Sequence, residues 1–595
     1  MAARVPMPAS AKYDRIVSRS FTPPRATALL GTLLGLLMCC AVWGQTPLPI
    51  PDTLSGAAMQ LTVQEGTWEF HPGEVVNTYG VNGDLLAPTI ILQQGQQVTL
   101  NVTNTLPDLT TMHWHGLHVS AANDGGPHSL IYPNTTWSPS FTVLDKASTF
   151  WYHPHGHGLT DYQVTLGLAG MIIVRDPEEA ALALPRTYGV DDIPLILQAK
   201  AIVGGQLMVH TGLDSIITAN GVRNAWKEVP AQVVRLRCLN GSSERTFNLG
   251  LSNGMEFQVI GTDGGLLSAP VPSTRLQLMP GERAELLVDL GALQGLAFQL
   301  MAYNSELPTG IIGAAQVGNG SAYLDGYLEN GLNGADHVLC SFTVGAPTAN
   351  AINAIPATLA TVVPYSPTDV DVTRTFLMVP ASMGPQEMIE GPFEMNGELF
   401  DMDVINEVVE LGATEIWEFT NNTMLGHPIH IHDIQFNILD RNGAAPEAWE
   451  SGWKDVVYVP PMGSARVITR FDDFADPDMP YMYHCHLLMH EDEGMMGQFV
   501  VVDPNSIQER AGVDPIVVWP NPVRGRSCTV RWPEGNGNVQ ATVLDAAGRT
   551  MHKLTIGSAS QEYGLTLPEL APDLYILHLK NAAGQQARCT FSIAD

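Results

Sequence analysis

The chain concentrates its chemistry in Tyr483-His484-Cys485-His486-Leu487-Leu488-Met489-His490-Glu491-Asp492-Glu493-Gly494-Met495-Met496, where three histidines, one cysteine and three methionines share fourteen residues. The alternating run Gly497-Gln498-Phe499-Val500-Val501 follows. In an extended strand, residues i and i+2 share one face and i+1 takes the other. His484 and His486 therefore point one way and Cys485 the opposite way. A cysteine thiolate with two imidazoles and a weak axial thioether is the donor set of a blue-copper electron-transfer centre. Histidines on the reverse face can serve a second metal site, and the backbone through Cys485 then becomes a short electron path between the two.

Three further His-x-His pairs occur: His113-Trp114-His115, His153-Pro154-His155 within Trp151–Gly158, and His430-Ile431-His432 just after His427. With His427 and His490, ten of the 18 histidines fall into this set. One such pair is weak evidence for a metal. Four of them, one straddling a cysteine, make a metal centre the economical reading. His157 adjoins the second pair as a supporting residue rather than a ligand, and Trp114, Trp151 and Tyr152 are packing around the site. His210 and His337 have no partners nearby and are read as non-ligands, as are His552 and His578 further on.

The elements that position these pairs are strands. From Thr53 to Asp176 the sequence consists of short period-2 runs, such as Thr89–Gln93, Gln97–Val102 and Ser140–Leu144, broken by Gly, Pro and Asn. The same texture covers about Pro194 to Val344 and Thr373 to Asp503. Pro177 to Leu184 is a short helical connection. A chain of 595 residues exceeds one core, and the expected division is 45–180, 181–350 and 351–505, with a small β-sandwich at 515–595. Ala26 to Trp43 is apolar and uncharged after Arg15, Arg19 and Arg25, so 1–44 reads as a secretory signal peptide, a retained anchor being the alternative. No other long apolar run occurs, and the mature chain is expected to lack a membrane span. The net charge of −31 repels phosphate backbones and argues against nucleic-acid binding. Outside the leader and Cys485 the cysteines are Cys238, Cys340, Cys528 and Cys589; Cys238–Cys340 and Cys528–Cys589 fit disulfides and free buried thiols equally.

These motifs make the chain resemble a three-domain multicopper oxidase of the laccase and bacterial cuprous oxidase kind over about Thr53 to Asp503. The resemblance implies an all-β fold of three cupredoxin-like Greek-key domains and four copper ions, one type 1, one type 2 and two type 3. By position, His427, Cys485, His490 and Met495 resemble the type 1 ligands, and His113 and His430 the type 2 ligands. His115, His153 and His486 would hold one type 3 copper, and His155, His432 and His484 the other. Asp124 and Glu491 match positions where related oxidases carry proton-relay carboxylates; a turn cap and a solvated acid are the plain alternatives. With Cys485 as the electron path, these two acids complete the catalytic set.

The implied reaction is one-electron oxidation of a small donor coupled to reduction of O2 to water. Asn421-Asn422-Thr423-Met424-Leu425-Gly426, ahead of His427, has no acid, and Met378, Met383, Met388, Met395 and Met402 are dispersed. A laccase-like oxidase of phenols or aromatic amines is therefore preferred over a cuprous or other metal-ion oxidase. A copper-free structural or binding protein on the same fold is the alternative of another class, and such relatives lack several ligands. Val518–Val523, Leu544–Arg549 and Leu570–Tyr575 resemble a C-terminal type IX secretion sorting domain, with Asp573 departing from the usual glycine. That implies transit across the outer membrane by secretion machinery, with the tail removed and the enzyme secreted or held at the cell surface, a periplasmic location being the alternative; a monomer is expected.

Overall fold

The computed structural model describes residues 44–209, 213–318, 322–504, 517–532, 537–545, 549–558, 562–581 and 586–594. The leader, His210 and Asp595 lie outside the described residues. Two compact units divide the chain, Met1–Val502 and Asp503–Asp595.

Alternation builds the first unit. In Gln97–Asn104, Val98, Leu100 and Val102 are buried while the residues between them are less so, and the strand pairs in parallel with Ala58–His71. That sheet and a second one, ordered Thr53–Leu54, Thr89–Gln93, Gly170–Arg175, Ser148–Tyr152, share a core of Leu61, Val63, Ile90, Leu92, Leu100, Phe150 and Ile172. A second pair of sheets follows. One contains Asp192–Val203, Val233–Asn240, Arg283–Asp289 and Phe257–Thr262, and the other Ala225–Pro230, Asp336–Gly345, Ala297–Tyr303 and Phe247–Leu251. Thr46–Pro47 adds a parallel edge to Ala225–Pro230 in this second pair. The third pair has Val372–Pro380, Thr414–Asn421 and Ser464–Arg470 in one sheet. The other is ordered Glu407–Glu410, Met496–Val502, Asp476–Cys485, His427–Ile431, Val456–Val459. The architecture is all-β and cupredoxin-like, as expected.

Several strands of the second pair are buried along their whole length, yet they carry charge. Arg237 reaches Asp192 at 2.7 Å and Thr149 Oγ1 at 2.7 Å, and Thr149 donates to Glu285 at 2.6 Å. Arg235 pairs with Glu285 and with Glu179. Buried guanidinium groups are tolerable only with such complete partnering, and here the partners include Thr149 and Glu179 of the first segment.

The helix over Pro177 is shorter than the sequence suggests. It stops at Ala180, with Asp176 capping the Glu179 N–H at 2.6 Å. Leu184 is instead buried in the second core and Leu182 packs against that core, which pulls the chain out of helical register. The five described cysteines are all free. No helix among the described residues is long and apolar enough to cross a membrane.

The second unit has one sheet of Val517–Trp519, Ser527–Arg531 and Glu562–Thr566, and another of Val523–Arg524, Gln586–Ala594, Leu574–Asn581, Gly537–Asp545 and Thr550–Ser558. Val530, Trp532, Tyr563, Leu577, Leu579 and Phe591 lie between them. This is the small β-sandwich expected from the sequence.

Candidate metal centre

The strand Asp476–Cys485 divides its side chains by parity. Tyr481, Tyr483 and Cys485 enter the third core, while His484 turns to the other face. Its neighbour His427–Ile431 runs antiparallel, with Ile429 opposite Cys485 and His430 opposite His484. The first segment repeats the device at an isolated bridge, where the His113 N–H donates to the His153 carbonyl at 2.8 Å and the His153 N–H returns the bond at 3.2 Å. Cross-strand partners lie close enough for their side chains to meet.

On the Cys485 side, the sulfur lies 3.5 Å from His427 Nδ1 and 3.7 Å from His490 Nδ1. The short helix Leu488–Asp492 swings His490 back towards the sulfur. Thr423 Oγ1 lies 2.7 Å from His427 Nε2 and leaves Nδ1 for the site. Met495 is fully buried, and its backbone exchanges hydrogen bonds with Cys485 and His490. Burial pushes the Cys485 thiol up, so its thiolate form requires a cation beside it. Burial also holds His490 down at about 3 and His427 well below the usual histidine range, leaving neutral imidazoles.

On the other face two triads converge. His155, His432 and His484 bring their Nε2 atoms within 3.1–3.3 Å of one another. His115 directs Nδ1 to within 3.4 Å of His153 Nε2 and 3.2 Å of His486 Nε2. Between the triads lie His113 and His430, each buried with Nε2 lacking a hydrogen-bond partner among the described residues. An orphaned buried polar atom costs about 1–3 kcal/mol, and a bound metal ion would satisfy both. Cys485 with two neutral imidazoles, and eight further imidazoles with free nitrogens facing common points, suit copper. Desolvation, then the crowding of like groups, keeps His115, His430, His432 and His486 well below the usual histidine range.

Several of the nitrogens that face away are tied down, which sets those rings' orientation, whereas His155 Nδ1 and His486 Nδ1 have no hydrogen-bond partner among the described residues. His113 Nδ1 lies 2.9 Å from the Asp124 carbonyl, His430 Nδ1 2.8 Å from the Asp455 carbonyl and His153 Nδ1 2.8 Å from the Pro154 carbonyl. Asp124 Oδ2 is 2.8 Å from His432 Nδ1. Asp124 also ends the short helix Ala121–Asp124, so it closes a turn and holds a histidine. Glu491 is buried, with its carboxylate 3.3 Å from His155 Nδ1 and 3.2 Å from His484 Nδ1; it is not a solvated acid. His484 Nδ1 is also 2.9 Å from the Cys485 carbonyl, a second link between the two faces.

Several residues of this shell escape a reading of the sequence. Asp455 lies 3.1 Å from His115 Nε2 and receives Arg283 Nη1 at 2.7 Å. Arg283 also donates to the Thr149 carbonyl at 3.1 Å. Asp455, directly before Val456–Val459 of the third pair, thus orients His115 from 340 residues away along the chain while Arg283 of the second pair holds it, and no local spacing signals such partners. Thr423 is missed for a different reason, since a lone threonine before His427 carries no pattern. Trp151 stacks on His153 at 4.1 Å, as packing. His157 is exposed and meets Phe400 edge-on at 5.2 Å, outside the converging groups. His337 contacts the Leu332 carbonyl at 2.9 Å.

Models of the multicopper oxidase family match residues 62–179 and 365–505. A multicopper oxidase of Staphylococcus epidermidis is 31% identical over 456 residues, 74% of this chain and 88% of the relative. The cell division protein FtsP of Escherichia coli is 31% identical over 477 residues, 78% of this chain and 94% of that protein. Among solved structures, a laccase-like multicopper oxidase, CueO, from Ochrobactrum has a TM-score of 0.68 at 34% identity and covers 77% of this chain and 100% of its own. The geometry and these likenesses agree: the chain belongs to the multicopper oxidase family.

Proposed function

We propose that the protein is a laccase-like oxidase that takes electrons singly from phenols or aromatic amines and passes four of them to O2, giving water. The observation that supports this reading is the convergence of His427, Cys485 and His490 on one face of a strand and of eight histidines on the other. In this reading His427, Cys485, His490 and Met495 hold a type 1 copper. His113 with His430 hold a type 2 copper, and the triads His115–His153–His486 and His155–His432–His484 a type 3 copper each. Copper bound there supplies one-electron steps between its two common oxidation states, and four ions match the four electrons O2 requires.

The protein's own groups do the rest. Cys485 joins the faces through its peptide bonds to His484 and His486 and through the hydrogen bond of its carbonyl to His484. In this reading Asp124, with its carboxylate beside His432, and Glu491, with its carboxylate beside His155 and His484 (distances of 2.8–3.3 Å), serve as relay groups for protons bound for reduced oxygen. Complete burial of the cluster histidines excludes bulk water. A copper-free structural or binding protein is the competing class, and the complete donor set weighs against it.

A metal-ion donor is the second reading, and one observation favours it. The segment with helix Glu387–Glu390 and strand Phe393–Met395 covers His490, with the Phe393 ring 4.6 Å from His490 and 5.0 Å from His427. An aromatic donor finds no exposed imidazole edge there. Met378 and Met395 are core residues, whereas Met383 is exposed. The deciding experiment gives purified, copper-loaded enzyme a phenol and copper(I) in separate assays and follows oxygen uptake. Copper count and absorption are measured alongside; about four coppers per chain with blue and coupled-pair bands support the class, and their absence overturns it. For localisation we propose export, with the terminal sandwich acting as a secretion signal; mature protein recovered outside the cell with Asp595 still attached would overturn the sorting role.

A further inference from the structure

The loop holding His113 and His115 and the strand end holding His430, with His432 just beyond it, belong to different pairs of sheets, yet they face one cluster. A side chain outside the converging groups joins them. His118 places Nδ1 2.9 Å from Asp433 Oδ1 and 3.0 Å from the Asp433 carbonyl. Its Nε2 lies 2.9 Å from Asp473 Oδ1. Its main-chain N–H donates to the two Asp145 oxygens at 3.2 and 3.3 Å, and its ring rests against Phe474 at 5.1 Å.

Two of these partners sit in strained backbone. Asp433 has φ 69° and Phe474 φ 54°, the left-handed region where a residue with a Cβ pays on the order of 1 kcal/mol. Such conformations persist only where their surroundings over-determine them. Asp433 directly follows His432, so its backbone sets where the His432 ring starts from. Phe474 directly follows Asp473. One imidazole therefore touches both special positions, and its own backbone is three residues from His115. Burial disfavours the charged ring, but Asp433 and Asp473 outweigh that and push His118 up to about 12, so the ring is a cation between carboxylates.

The geometry points to His118 as a positioning residue that locks Asp433, and through it His432, in register with the first-segment loop. This rests on the copper-cluster reading proposed above. The lock acts on the triad His155–His432–His484 and leaves His427, Cys485 and His490 alone, since those three sit on the other face of the sheet.

The test uses full-length, copper-loaded protein. His118→Ala is expected to lower the absorption of the coupled copper pair roughly twofold or more relative to the blue band, since outer-sphere losses weaken metal affinity by about 10–100-fold. His118→Gln, which keeps one N–H donor, should recover part of that ratio. Asp473→Asn, which alters only the outer contact, should fall between wild type and His118→Ala. An unchanged ratio in all three variants overturns the inference. So does a proportional fall of both bands, which is what general destabilisation produces. If His118→Ala does not fold, the ratios for His118→Gln and Asp473→Asn decide the matter, and wild-type ratios in both overturn it. A wild-type protein without either band overturns the copper reading and the inference with it, whereas an intact wild-type spectrum with unaltered variants overturns the inference alone.

Discussion

Glu491 sets one carboxylate beside two imidazoles, and under the proposed function a single substitution there should separate two half-reactions. Glu491→Gln keeps the shape but cannot cycle a proton at neutral pH, and general acid–base groups contribute about 10²–10⁴-fold. Re-oxidation by O2 is expected to slow by at least the lower figure, while anaerobic bleaching of the blue band by donor keeps its wild-type rate. Stopped-flow absorption separates the two, and equal slowing of both would sink the relay. Asp455 makes a different demand. It orients His115 and also receives Arg283, so Asp455→Ala takes from a buried guanidinium its nearest carboxylate and leaves only the more distant Asp263, a loss of up to about 3–5 kcal/mol. The expected outcome is a lower melting temperature together with cluster-copper loss, read by calorimetry and metal analysis. Glu491 was visible beside His490 in the sequence, and Asp455 was not, because its histidine lies 340 residues away.

At the scale of elements, the turn before Arg283–Asp289 is as constrained as the donor strands. Gly281 has φ 84°, and a Cβ there would sit 2.8 Å from the ring of His486. Among the described residues the second pair of sheets contributes no histidine to the groups above, yet it presses this turn against one. Gly281→Ala adds backbone strain of about 1 kcal/mol and displaces the ring, so oxygen-reducing activity should drop at least tenfold with the blue band retained; retained activity would show that the turn gives way instead. The segment Glu387–Met395 is the counterpart on the other face. Of the dispersed methionines Met378 and Met395 are core residues, while the segment Glu387–Met395 covers the His427 and His490 imidazoles.

For the whole molecule, the separate cores of Met1–Val502 and Asp503–Asp595 carry a prediction. A chain ending at Val502 should bind copper and reduce O2 at the full-length rate, measured by metal analysis and oxygen uptake. Acid stability is set in part by the buried arginine network. Burial alone would raise the Asp192 carboxyl, but Arg237, Arg235 and Arg175 hold it down at about 2, against 3.8 unperturbed. A carboxylate whose folded value is depressed contributes stability that is complete above the unfolded value and is lost as pH falls through the folded one. The contribution, about 2 kcal/mol by linkage, is present above about pH 4 and vanishes towards pH 2. Asp192→Asn should therefore be less stable at neutral pH and show a shallower decline in melting temperature over that window.

The all-β class and the donor residues follow from sequence alone, because strand alternation and metal-donor chemistry are local: His484, Cys485 and His486 take their faces from the backbone's period of two. The terminal sandwich is equally legible as a composition of short alternating strands. Tertiary structure decided which nitrogens converge, since that depends on the antiparallel register that sets His430 opposite His484 and His113 opposite His153. It also decided the orienting shell of Asp455, Arg283, Thr423 and His118, the covering of His490, and the free state of the five described cysteines. Each of these is a relation between distant segments, and packing, not spacing, brings such segments together.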